Sequence, residues 1–404
     1  MTSIAQSVPV GESRARVQAT AVAEFLLVGG ATPLLFLVSW LLQRTIGLSS
    51  ADLAVGFLFF YGAHVINDPH FAVTYLLFYE NARARAFGGE FKPASLREPG
   101  SDNPLASSRG MFAPLQRVRY LMAGLVVPAT LVVWAGTALA VRSAYSLGLL
   151  IQSMFLLVGW HYVKQGFGVM TVLAARRGVR FSPRERLAIL AHCYAGWAYA
   201  WASPYDPGKE VEEKGLVYTT IAHPHGLERL TLVVFLTTAV CLFAVLARKW
   251  WREGRLPIVT PLMAMLCSVW IWSVYSSIDP LVVYAVPALH SLQYLYFVWL
   301  LKGSEARERE GPPWFERAAS VRLGLLAVSA LGLGWLLFHG APAALDDFLV
   351  PRRSRFTDLG PTPYFAAIFA VVNIHHYFMD YVIWRRDNRQ TRYLRVTASR
   401  SSRA

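Results

Sequence analysis

The 404-residue chain is 55% hydrophobic and 16% charged, where an ordinary soluble domain carries about a quarter charged residues. A soluble globular fold is excluded, and an all-α integral membrane protein is expected. The formal net charge of +14 would by itself suit nucleic acid, but the basic residues collect in alternate loops between apolar runs. That distribution is a membrane-topology signal, so no nucleic-acid partner is expected.

Residues 1–19, MTSIAQSVPVGESRARVQA, are polar and lack the apolar centre of a signal peptide, so they read as a cytoplasmic tail before a retained helix. Apolar runs follow near 20–42, 53–79, 118–141, 146–173, 185–203, 228–247, 256–276, 280–301, 321–339 and 363–384. About 20 apolar residues cross a hydrocarbon core, so a bundle of about ten transmembrane helices is expected over 20–384. The loops at 81–117, 174–186, 248–255 and 302–319 and the tail at 385–404 are basic. They alternate along the chain, which puts both termini in the cytoplasm of a multi-pass protein of the cell inner membrane. PRRSR at 351–355 departs from that alternation. Tail residues Arg389, Arg392, Arg395, Arg400 and Arg403 are expected to meet anionic membrane lipids.

Four runs carry a histidine followed by polar residues at helical spacing. The second reads GAHVINDPHFAVTY, with His64, Asn67, Asp68 and His70. The fourth reads GWHYVKQGFG, with His161, Lys164 and Gln165. The eighth reads ALHSLQYLYF, with His290, Gln293 and Tyr294, and the tenth NIHHYFMD, with His375, His376 and Asp380. Residues three and four apart share a helix face, and a polar stripe in an apolar helix points into the bundle. The topology runs all four helices from outside to inside, with His64, His161, His290 and the His375–His376 pair near mid-span. One such histidine alone reads as a hydrogen-bonded packing residue. Four at a common depth read as a metal centre, because imidazole suits iron, copper and zinc.

The candidate metal ligands are thus His64, His70, His161, His290, His375 and His376. Of the adjacent pair, His376 is expected to face the centre, because Asp380 lies one turn beyond it. His70 lies almost two turns from His64 and reads either as a ligand of a second metal or as packing. Gln165 and Gln293 are expected to orient imidazoles or hold a bound ligand. Asp68, Lys164, Tyr294 and Asp380 are the candidate catalytic groups, with Asp68 the expected partner of Lys164. Asp68 or Asp380 can alternatively ligate directly. His192, beside Cys193, reads as packing, His223 and His225 as loop residues, and His339 as an interfacial residue ending the ninth run. The three cysteines fall in apolar runs without metal-ligand spacing.

This layout of histidines on separate apolar helices resembles the multi-histidine integral membrane oxygenases. In the fatty-acid desaturase and hydroxylase group the signatures are H-x-x-x-H and H-x-x-H-H. NIHH supplies the paired histidines, but neither full box is present. The style is nearer to the Brp/Blh-type β-carotene dioxygenases. The resemblance implies non-haem iron, O2, a hydrophobic lipid or isoprenoid-like substrate and, for some reactions, a redox partner. Other readings use the same residues. These are a zinc-dependent lipid hydrolase of the ceramidase kind, a haem b or copper protein, and a proton or ion transporter with a His/Asp/Lys relay.

Overall fold

The computed structural model describes residues 20–47, 50–80, 82, 86, 109–202, 206–254, 259–277, 280–308, 318–350, 359–385, 388, 391 and 394. The N-terminal tail, most of the 81–117 loop, the PRRSR segment and the five tail arginines expected to meet lipid lie outside them.

Among the described residues, every predicted apolar run is helical. In chain order the helices are α1 (Thr20–Ile46), α2 (Ala51–Tyr79), α3 (Leu115–Ala140), α4 (Ala144–Arg176), α5 (Pro183–Ala202), α6 (His225–Glu253), α7 (Val259–Val274), α8 (Pro280–Glu308), α9 (Ala319–Leu349) and α10 (Pro363–Ile383). Seven of them, α1, α3, α4, α6, α8, α9 and α10, are long and apolar enough to cross a membrane, which marks a membrane protein. α2 carries His64, Asn67, Asp68 and His70 along its length, and α5 opens on Arg184, Glu185 and Arg186. α9 continues ten residues past the expected end at His339, through a π-helical turn over Leu336–Gly340.

α8 and α10 form the interior, with 67% and 72% of their apolar windows buried against 11% for α6. α6 therefore lies at the rim, with its apolar surface left for lipid. Ion pairs join helix ends. Arg177, just past α4, pairs with Glu24 of α1, which also accepts from Tyr296 of α8 at 2.7 Å. Lys302 of α8 reaches Glu80 at the end of α2 at 2.6 Å. Lys249 of α6 pairs with Glu185 of α5 and donates to the Arg180 carbonyl. Arg176 donates to the Leu394 carbonyl beyond α10. These contacts gather the C-terminal ends of α2, α4, α8 and α10 at one end of the bundle, so the four histidine-bearing helices run in the same direction.

The 204–227 loop holds an element that the sequence reading left unassigned. Strand β1 (Glu210–Glu213) pairs antiparallel with β2 (Leu216–Thr219) around the two-residue turn Lys214–Gly215. A glycine in the second turn position and alternation through Leu216 and Tyr218 are the local signals for such a hairpin. It packs on α4, where Gln152 accepts from the Ile221 N–H at 2.7 Å. Thr362, at the start of α10, donates to the Lys214 carbonyl at 2.8 Å. The hairpin thus ties α4 to α10 at the end of the bundle opposite the ion pairs. The approach is close because Gly148 has no side chain, and a Cβ there would lie 2.6 Å from Tyr218 Cβ. Gly148→Ala is expected to lower the thermal unfolding midpoint in detergent, at a cost of about 1–3 kcal/mol for overpacking. Gly136→Ala, with open space around it, is the matched control and is expected to leave the midpoint unchanged.

Candidate metal centre

Four imidazoles from four helices meet in the interior. They belong to His70 of α2, His161 of α4, His290 of α8 and His376 of α10, and one ligand nitrogen from each lies within 4.8 Å of the others. All four residues are buried, with His376 fully so. The rings close a circuit of near-perpendicular neighbours. Centroids are 5.0 Å apart for His70–His290, 4.9 Å for His290–His161, 5.0 Å for His161–His376 and 4.5 Å for His376–His70. The Nε2 atoms of His161 and His290 are 3.1 Å apart.

The hydrogen-bond account of this cluster does not close. His70 turns Nδ1 to Ser291 Oγ at 3.2 Å, but its Nε2 has no partner. His290 Nδ1 and both nitrogens of His376 are likewise buried without a hydrogen bond. A buried polar atom left unpaired costs about 1–3 kcal/mol. Four such atoms on three neighbouring imidazoles is an arrangement that protein packing alone does not favour. One nitrogen from each of the four rings lies within 4.8 Å of the others, and a metal ion satisfies nitrogens so gathered, since metal–imidazole bonds of about 2.1 Å set neighbouring ones roughly 3 Å apart.

Asp380 completes the arrangement, one turn beyond His376. Its Oδ2 lies 3.4 Å from His376 Nε2 and 3.7 Å from His161 Nε2. Its Oδ1 accepts from Tyr294 at 2.8 Å and from Thr74 at 3.4 Å. One carboxylate is therefore placed to ligate an ion or to balance its charge, and it is held by two hydroxyls. Tyr377 stacks on His161 at 4.8 Å, and Tyr162 lies 4.4 Å from the His290 ring. Gln165 donates to Gln293 at 2.9 Å and to the His290 carbonyl at 3.3 Å, and Gln293 donates to the Val28 carbonyl at 2.6 Å. The two glutamines thus tie the backbone behind the rings together, and Gln165 Oε1 is buried without a hydrogen bond.

Four expected placements differ. His70, expected to serve a second metal or to pack, joins His161, His290 and His376. His64 does not join the four; it lies 3.8 Å from Asp68 in a separate group with His339. The reason is depth, since His70 rather than His64 is level with His290. His375 points away from the centre, and both its nitrogens are used. Its Nε2 donates to the Ala123 carbonyl at 3.0 Å, so Nδ1 accepts from Tyr75 at 3.1 Å. Lys164 does not pair with Asp68, which bonds His339 at 2.8 Å. Lys164 instead lies over the rings of Phe167, Tyr194 and Tyr381, each 5.8–5.9 Å away. His192 packs on Phe235 and bonds Thr238 and Trp270.

No family model, curated protein or solved structure matches this chain. Its chemistry has to be argued from its own residues.

The sequence did not single out Thr74, and His339, expected to be interfacial, instead bonds Asp68. Thr74 follows His70 by four residues and was legible on the same face. His339 carried no such signal, because only the continuation of α9 through a π turn brings it to Asp68.

Proposed function

We propose that the protein is a membrane-embedded, metal-dependent oxidoreductase that uses non-haem iron and O2 on a hydrophobic lipid or isoprenoid-like substrate. The observation that carries this reading is the buried circuit of His70, His161, His290 and His376 with Asp380 against it. Four imidazoles fill a tetrahedral zinc site and leave no position for a reacting molecule. The same four around a six-coordinate iron leave two positions, or one if Asp380 also binds. Iron there would supply the activation of O2.

The chain's own residues do the rest. Phe71 lies 4.5 Å from the His376 ring and 5.0 Å from Phe338, which offers an apolar wall beside the centre. Such a wall suits a hydrocarbon chain and excludes water. Asp380 offsets the charge of a bound cation, and Tyr294 holds that carboxylate and stands next to it as a proton donor. The electron balance separates two reaction types. Cleavage of a C=C bond by O2 puts one oxygen on each carbon and needs no outside electrons. Hydroxylation puts one oxygen in the substrate and one in water, and it takes two electrons and two protons from a redox partner. The ion-paired ends of the helices face the cytoplasm of the inner membrane in this proposal, in keeping with the basic loops.

The test is metal analysis of detergent-purified protein, followed by O2 consumption with carotenoid and unsaturated fatty-acyl substrates. Iron in stoichiometric amount, lost in His161→Ala together with O2 consumption, is the expected result. Zinc with no O2 uptake would replace this reading with lipid hydrolysis, and a metal-free protein would replace it with a relay transporter.

A further inference from the structure

We propose that His64, Asp68 and His339 form a second site, for a divalent transition-metal ion held with open coordination positions. Asp68 Oδ2 is the hub. His339 Nε2 lies 2.8 Å from it and His64 Nδ1 3.8 Å from it. One donor atom from each residue lies within 4.8 Å of the others, and the two rings stand edge to face with centroids 5.0 Å apart.

His339 Nε2 meets Asp68 Oδ2 at hydrogen-bond distance, and His64 Nδ1 at 3.8 Å is beyond one; both imidazoles nonetheless put a nitrogen beside the same oxygen. Two of the donor spacings are 2.8 and 3.8 Å and all three lie within 4.8 Å, so a small closing movement brings the donors onto one ion with bonds near 2.1 Å. Two neutral nitrogens and one carboxylate give a single negative charge, which suits a divalent cation. Such a facial set leaves three positions of an octahedron for water or another ligand.

The backbone is arranged to bring these groups together. His64 and Asp68 are four residues apart on α2 and share a face. α9 is drawn against that face at Gly334, where a Cβ would lie 2.7 Å from the Asp68 carbonyl carbon and oxygen. Two residues later the π turn over Leu336–Gly340 begins and changes the helix register. It buries Phe338 beside Phe71 while His339 meets Asp68. π turns inside α-helices recur at functional sites. The second site also differs in burial. The His64 side chain is 48% exposed and that of His339 37%, whereas the four-imidazole centre is sealed.

The experiment is a Co(II) titration of the metal-stripped full-length protein in detergent, with visible absorption and bound-metal counts per chain. Wild type is expected to bind two equivalents. His64→Ala and Asp68→Asn should each bind one, with the affinity at this site weakened at least about 100-fold. His161→Ala should also bind one, and His64→Ala/His161→Ala none. His64 is half exposed and Asp68→Asn keeps the side-chain shape, so both variants keep the fold, which size-exclusion profiles check. Two equivalents in both of these variants, or a single wild-type equivalent that only His161→Ala removes, would overturn the second site. The latter result would leave the four-imidazole centre standing, so the two proposals fail separately.

Discussion

Replacing His376 with leucine is expected to empty the four-imidazole centre of metal while leaving the metal-free fold as stable as before, or more so. His376 is fully buried and neither of its nitrogens has a hydrogen bond. In the metal-free protein those nitrogens are a liability of about 1–3 kcal/mol each. Leucine removes it, against a repacking cost of less than about 1.5 kcal/mol for an apolar side chain of similar size. The thermal midpoint of the stripped variant in detergent should therefore equal or exceed that of stripped wild type. In the loaded protein the sign reverses. Loss of one ligand weakens binding at least about 100-fold, and the metal-linked rise in midpoint disappears with it. A packing histidine behaves differently, because its replacement moves the midpoint equally with and without metal. Retention of stoichiometric metal in His376→Leu would remove this residue from the centre. His375→Leu gives the contrast. It breaks bonds to Tyr75 and the Ala123 carbonyl, so it should lower both midpoints and leave the metal in place.

The contrast within this pair was legible in the sequence, because Asp380 marks the face that His376 shares. The choice between His64 and His70 was not. Span midpoints favoured His64, but helices in contact are levelled by their pairing and not by their centres. The pair Lys302–Glu80 fixes the register of α8 against α2. His290 lies 12 residues before Lys302, and His70 lies 10 and His64 16 before Glu80. At about 1.5 Å per residue, His70 is within one turn of His290 and His64 is farther off. That ion pair joins the end of α2 to a residue inside α8 with no pattern to announce it. The helices themselves were legible because apolar runs of membrane length admit few other structures. The β hairpin was less so, since a four-residue strand gives little periodicity. His339 was hidden by the same limit, because a π turn inside an apolar helix leaves no mark on hydropathy.

Under the proposed function, Asp380→Asn is expected to reduce O2-dependent activity at least about 100-fold and to weaken metal binding about 10–100-fold, with little change in shape. Four neutral imidazoles around a divalent ion leave two positive charges deep in the bundle, and an uncompensated charge there is costly. The Asp380 carboxylate, 3.4 Å from His376 Nε2, cancels one of them. Asparagine can still accept from Tyr294 and Thr74 through its carbonyl, but it brings no charge and turns an NH2 group toward the centre. Tyr294→Phe tests whether the tyrosine acts through this carboxylate. The bond from Tyr294 to Asp380 is 2.8 Å long, and a hydrogen bond to a charged group contributes about 1.5–3 kcal/mol. Tyr294→Phe alone should therefore cost roughly 10–100-fold in activity. In the Asp380→Asn background the same change should cost under about tenfold, because the charge that the tyrosine supports is gone. A coupling of about 1 kcal/mol or more in the double-mutant cycle is the expected result. Additive losses would mean that Tyr294 reaches substrate or metal on its own. The carboxylate would then be supported chiefly by Thr74, whose hydroxyl lies 2.6 Å from that of Tyr294 and closes the same network.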